Sequence, residues 1–180
     1  MTLALRNETA PGLSALLRSA TRGEHDKVDA AFGRFDLSCR EDYGMFLSAH
    51  ARVVPALEAR LAPGELVPDW TGRAGALARD LRALGLPQPE ERGVDLLSGD
   101  MARWGALYVL EGSRLGGAFL ARRVPEGWPA AYLGAAHPPG QWRTLLAAID
   151  AAAATAEQGA EAVRAARAVF AAFSSAAQEA

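Results

Sequence analysis

Two groups of residues in this chain have types and spacings that could do chemistry. The first surrounds His25, in Ser19-Ala20-Thr21-Arg22-Gly23-Glu24-His25-Asp26-Lys27-Val28-Asp29. On a helix, Arg18, Thr21, Val28, Asp29 and Phe32 share the histidine's face, because positions three, four and seven apart stack along one side. A neutral imidazole there can bind a metal through one ring nitrogen. Its other nitrogen needs a partner, and a carboxylate one turn later is a common one. Asp29 stands at that position. Arg18, two turns earlier, could pair with an anionic group on a ligand. A solitary histidine on an amphipathic helix also serves as a satisfied boundary residue, so the pattern alone admits both readings.

The second group is Tyr108-Val-Leu-Glu111-Gly112-Ser113-Arg-Leu115-Gly116-Gly117-Ala-Phe119, inside what otherwise reads as a long helix. Each glycine weakens a helix by roughly 0.5–1 kcal/mol relative to alanine. A helix that keeps them uses bare backbone, either for close approach of another helix or for something flat and bulky. The chain shows no convincing carboxylate pair or nucleophile triad.

The elements that must position these groups read as all-α, with abundant Ala, few β-branched residues and no hairpin-type alternation. A first helix is expected from near Pro11 to Gly33, with Leu13, Leu16, Leu17, Val28 and Phe32 inward. A second covers Glu41 to Leu61, kinked at Pro55 and ended by Pro63-Gly64. A third runs from about Gly72 to Leu84, and a short helical piece follows Pro89. The glycine-bearing helix spans about Gly99 to Val124 and stops at Pro125. Residues 125–140 read as an irregular loop. A last Ala-rich helical region covers 141–178, with Gly159 as its expected break. Phe119, Leu115 and Leu120 line the distal side or the core, with at least two in the core. His50 reads as structural or exposed and His137 as an exposed loop residue. Glu111 faces away or caps a local network.

The chain has 180 residues, half of them hydrophobic, which fits one folded domain over 1–180 with a flexible stretch at 1–10. The formal charge of -2 and scattered basic residues argue against nucleic acid or anionic lipid as partner. Cys39 is the single cysteine, so no intramolecular disulfide or Cys-rich metal site is expected. No signal-like segment and no run of about eighteen apolar residues is present, which points to a cytoplasmic protein without a membrane span.

With both groups in view, the chain resembles a bacterial heme oxygenase, of the kind often found beside bacteriophytochromes. The resemblance rests on Ala20-Thr21-x-x-x-His25-x-x-x-Asp29 and Tyr108-x-x-Glu111-Gly112-Ser113-x-Leu115-Gly116-Gly117, and covers nearly the whole length in order of elements. It implies a helical bundle with heme between a proximal helix and a kinked distal helix. It implies His25 as the axial iron ligand and heme as both cofactor and substrate, oxidised at a meso carbon to biliverdin, CO and Fe2+. Asp29 falls where the family usually has Glu, a departure that bears on how well it reaches the histidine. Gly112 and Gly116 match the distal glycines that leave room for oxygen over the porphyrin, and Ser113 a group that holds distal water. Arg18 and Tyr108 match positions facing the heme propionates, with Thr21, Val28, Gly117 and Phe119 completing the contacts. O2 and a ferredoxin or flavin reductase are the implied partners, with a bacteriophytochrome as a receiver of biliverdin. Two other readings remain: a carrier or sensor that holds heme without degrading it, and a heme-free helical protein whose glycines serve packing.

Overall fold

The computed structural model describes residues 12–94, 99–153 and 155–180. Seven α-helices make up the described residues: α1 Leu13–Ala20, α2 Arg22–Gly33, α3 Arg40–Leu61, α4 Ala74–Ala83, α5 Asp100–Leu120, α6 Gln141–Ala152 and α7 Ala156–Gln178. Short 3-10 turns follow α3 and α5, and no strand occurs among the described residues. No helix there is long and apolar enough to cross a membrane. Residues 1–10 and Pro11 lie outside the described residues.

Helix α7 is the hub, packing on α1, α2, α3 and α5. Its alanines make this possible. Ala162, Ala165 and Ala166 are buried, and α5 meets them with Ala102, Gly105 and Ala106. At the crossing, a Cβ on Gly105 would stand 1.9 Å from the Ala162 carbonyl oxygen. Gly105 is therefore a packing glycine, and any side chain there would push the two helices apart. Helix α3 carries the core on its other side, with Tyr43, Phe46, Leu47, Val53, Val54, Leu57 and Leu61 buried. Its register accommodates Pro55 within one continuous helix.

The expected first helix is two. Thr21 interrupts it with φ -112° and ψ 9°. The cause is local: the buried Thr21 hydroxyl donates to the Leu17 carbonyl at 2.7 Å, a back-bond that bends helices. The last helical region also divides differently from expectation. Helix α6 ends at Ala152, and Thr155 and Gln158 form a capping box that starts α7. Gly159 sits inside α7, facing Leu16, whose Cδ2 would be 2.9 Å from an added Cβ. The described part of the segment after Pro89 is not helical.

Several helix ends are completed by side chains from elsewhere in the bundle. Asp150 of α6 accepts from the Ser14 amide (2.7 Å) and hydroxyl (2.9 Å) at the start of α1. Glu58 of α3 accepts from the Arg73 (2.7 Å) and Ala74 (3.1 Å) amides at the start of α4. Glu161 of α7 accepts from the Ala102 amide at the start of α5, 3.2 Å away. At the carbonyl ends, Arg103 of α5 donates to Leu61 of α3 at 2.8 Å, and Arg34, just past α2, donates to Ala177 of α7. Carboxylates meet the amide ends and guanidiniums the carbonyl ends, as the helix dipole favours.

The loop 125–140 is held with equal care. The Tyr43 hydroxyl donates to the Pro129 carbonyl at 2.7 Å, and Tyr43 stacks on Trp128. The buried Asp80 carboxylate accepts from the amides of Ala131 (3.1 Å) and Tyr132 (2.8 Å).

Candidate functional site

His25 sits one turn past the Thr21 break, with its side chain 60% exposed. Its Nδ1 lies 3.2 Å from the Asp29 Oδ2, without a water between them. A proton on Nδ1 donated to Asp29 leaves Nε2 as a free lone pair, the form that binds a metal. The edge of the imidazole meets Phe170 of α7, ring centroids 5.9 Å apart. Arg167 of α7 fastens the backbone around the break: it donates to the Ala20 carbonyl at 2.8 Å and pairs with Glu24 at 3.3 Å. His25 is thus oriented from its own helix by Asp29 and from α7 by Phe170. Among the described residues, no group of three or more His, Cys, Asp or Glu is placed to hold a metal ion. A metal held at His25 would have to bring most of its own ligands, as a porphyrin does.

The glycines of α5 separate into two kinds. Gly105 is required by the protein's own packing, as shown above. Gly117 is buried against Leu133, where a Cβ would come to 3.5 Å from the carbonyl oxygen, an ordinary contact. At Gly116 an added Cβ meets nothing within 4 Å, and at Gly112 only the Trp142 ring at 3.6 Å. Nothing inside the protein requires these two residues to lack a side chain. On the same face, at three- and four-residue spacing, Leu115 and Phe119 are 47% and 66% exposed, the large hydrophobics that the fold leaves uncovered. This corrects the expectation that at least two of Leu115, Phe119 and Leu120 are core; Leu120 alone packs against it. Bare backbone flanked by uncovered apolar side chains fits a flat apolar ligand. Helices α2 and α5 both pack on α7.

Arg18 is exposed on α1, and its charge acts on the hydroxyl of Tyr108 on α5. Burial raises the Tyr108 hydroxyl above its ordinary pKa, and the Arg18 cation opposes that rise. Tyr108 leans on Trp142, ring centroids 5.8 Å apart. Thr21 is buried with its hydroxyl spent on Leu17, and Val28 packs against the core from the histidine's side of α2.

Ser113 points inward. Its hydroxyl donates to the Leu110 carbonyl at 2.6 Å and accepts from Arg73 Nη2 at 2.6 Å. Arg73 is almost fully buried, and its guanidinium lies over the Tyr132 ring at 5.0 Å. The Arg73 Nε and the Tyr132 hydroxyl are buried with no partner in the protein, so the cluster suits an internal water. His50 belongs to the same region. Its ring centroid lies 4.4 Å from those of Phe32 and Phe46 and 5.3 Å from that of Tyr132. Burial lowers its pKa to about 4, against a smaller upward pull from the bond between Nδ1 and the Phe46 carbonyl. The imidazole is therefore neutral, with Nδ1 donating and Nε2 bare.

Sequence reasoning missed Arg73 and Tyr132 and placed His137 wrongly. Far from exposed, the His137 side chain is 5% exposed and donates from Nε2 to the Glu111 carbonyl at 3.0 Å. Its partner is 26 residues away, so no local pattern marks it. Glu111 is the centre of a buried network, as one of its two expected placements had it. Cys39 is exposed at the start of α3.

Fold and site together define an all-α bundle that presents a free imidazole nitrogen on one helix and a bare apolar face on another. No family model matches the chain. A heme oxygenase of Xanthomonas campestris pv. campestris (strain 8004) is 34% identical over 149 residues, spanning 74% of this chain and 87% of that protein. The heme oxygenase from Neisseria meningitidis, solved in NO- and CO-bound forms, shares the fold with a TM-score of 0.80 at 27% identity, covering 94% of this chain and 92% of that one. The chain belongs to the heme oxygenase family.

Proposed function

We propose that this chain binds one heme between α2 and α5 and cleaves it, with O2 and reducing equivalents, to biliverdin, carbon monoxide and ferrous iron. The observation that carries this reading is the pair Gly112 and Gly116, helix-weakening residues that no neighbour in the protein requires. When bound, heme supplies the oxygen chemistry and is itself the molecule oxidised. The protein's residues bind, orient and supply protons.

His25 Nε2 would bind the heme iron, with Asp29 fixing its tautomer through Nδ1. The shorter Asp29 carboxylate still reaches the histidine, so its departure from Glu does not argue against catalysis. Val28 and the non-polar part of Thr21 belong to the proximal wall. Gly112 and Gly116 present backbone where a side chain would crowd oxygen at the ring edge. Phe119 covers apolar ring surface, and Gly117 keeps this turn seated on Leu133. Arg18 and Tyr108 take the propionates, one by charge and one by a hydrogen bond. Ser113 has its proton committed to Leu110 and one lone pair to Arg73, so its remaining lone pair orients a single water toward the substrate. Electrons come from a ferredoxin or flavin reductase, the setting is the cytoplasm, and a bacteriophytochrome is the fitting receiver of the product.

The test is a spectrum. Heme-reconstituted protein, given ascorbate or reduced ferredoxin in air, should lose its Soret band and gain the broad red absorption of biliverdin. His25→Ala should abolish both the ligated spectrum and the conversion. Heme that binds through His25 and survives reductant and oxygen would instead establish a carrier or sensor.

A further inference from the structure

One turn of α5 is fastened far more heavily than the fold requires. Glu111 and Arg114 are 4% and 7% exposed, and Arg114 Nε donates to Glu111 Oε2 at 2.8 Å. Trp70 Nε1 donates to the other carboxylate oxygen at 2.9 Å. Arg114 also donates to the carbonyls of Thr71 and, at 3.3 Å, Ala135. From outside the helix, His137 Nε2 donates to the Glu111 carbonyl at 3.0 Å, while its Nδ1 lies 3.1 Å from Gln141 Oε1. Trp142 stands beside His137, with ring centroids 5.8 Å apart, and would lie 3.6 Å from a Cβ added at Gly112.

These contacts tie residues 111–114 to the segment before α4 and to the loop before α6. A buried ion pair contributes little net stability, because desolvation offsets its attraction. What such a network does supply is direction: each bond fixes an angle and a distance that apolar packing would leave loose. The residue it holds hardest, Glu111, is the one before Gly112. Glycine-rich helix is also the kind most in need of holding, since it lacks side chains to lock it.

We propose that Glu111, Arg114 and His137 are positioning residues, a clamp that holds the Gly112–Gly116 backbone at a fixed height over the substrate. The proposal rests on the heme-degrading reading above. None of the three touches heme, and they act only through the backbone they anchor.

The experiment compares His137→Leu, which removes the donor, with His137→Gln, whose amide nitrogen can occupy about the place of Nε2. Glu111→Gln is the second probe, keeping an acceptor for Trp70 while removing the charge that faces Arg114. Amide hydrogen exchange is followed in the heme-free proteins, peptide by peptide. Isomers of the verdin product are separated after a single turnover of the heme-loaded proteins. In His137→Leu, exchange across 112–117 should rise about tenfold or more while α3 and the middle of α7 keep their protection. The product should change from one dominant isomer to a mixture, with His25-dependent heme binding retained. His137→Gln should restore both. Unchanged exchange at 112–117 would overturn the clamp. A uniform loss of protection in every helix, reducing it to a fold-stabilising contact, would do the same. Wild-type protein that leaves heme intact would overturn the heme-degrading reading instead, and the heme-free exchange data would still judge whether the clamp holds this backbone.

Discussion

Alanine at Gly116 should make the protein more stable and less able to do its work. The added Cβ meets nothing within 4 Å, so it costs nothing in packing. Replacing a mid-helix glycine gains roughly 0.5–1 kcal/mol in helix propensity. For a chain of this size that corresponds to a rise of about 1–4 °C in Tm. Gly105→Ala makes the same covalent change eleven residues earlier on the same helix and should do the opposite. Its Cβ would stand 1.9 Å from the Ala162 carbonyl oxygen and 2.8 Å from the Ala162 Cα, both backbone atoms that cannot turn aside. Helices α5 and α7 would have to separate, at a net cost of about 1–3 kcal/mol. Thermal denaturation of the heme-free proteins measures both signs. Loss of the Soret band under reductant then tests function: Gly116→Ala should retain the His25-ligated spectrum and oxidise the ring about tenfold more slowly, the range expected for a misplaced reacting group. A Gly116→Ala protein that melts lower than wild type, or that degrades heme at the wild-type rate, would refute the reasoning. The first result would make Gly116 a packing residue like Gly105, and the second would remove its role over the substrate.

Asp29→Ala should weaken heme binding roughly 10–100-fold by freeing the His25 ring, while Asp29→Glu should restore most of it; a heme titration reads both. The heme-free protein should lose stability on acidification through His50. Its folded pKa of about 4 lies below the ordinary 6.5, so the unfolded chain takes up the proton first and stability falls as pH drops from 6.5 towards 4. The loss is on the order of 3 kcal/mol at most. Urea unfolding at a series of pH values should show it, and His50→Phe should flatten that part of the curve.

Much of the bundle was legible because apolar spacing and turn residues agree. The bounds of α3 follow from Tyr43, Phe46, Leu47, Leu57 and Leu61, whereas α5 ends at Leu120 and passes into the 3-10 turn Ala121–Arg123, short of the expected stop at Pro125. The breaks were less so, for reasons that lie in single side chains. Thr21 looks like any helix residue until its hydroxyl takes the Leu17 carbonyl. Gly159 looks like a breaker, yet it is a seat for Leu16, and the readable signal was the Thr155–Gln158 box four residues earlier. At the site, the pairing of His25 with Asp29 follows from helical spacing alone, so it was accessible. Which glycines serve packing and which face open space depends on α7 and Trp142, elements far off in sequence. Arg73, Tyr132 and His137 escaped for the same reason: their roles come from partners on other elements, and nothing periodic surrounds them.

The borrowed helix ends carry a consequence for how this protein is made. Helix α4 depends on α3 for its start, α3 on α5 for its end, α5 on α7 for its start, and α7 on Arg34 beside α2 for its end. Two of these links, α3 on α5 and α5 on α7, run against the order of synthesis, so α3 and α5 wait for α7, which is made after them. Until residues near Glu161 emerge, the α5 amide end is without its carboxylate, and the bare glycine face has no rigid support behind it. A nascent chain stalled before α7 should therefore be open and protease-sensitive throughout. On the reading proposed above, heme capture would then follow synthesis of α7, the element on which both α2 and α5 pack.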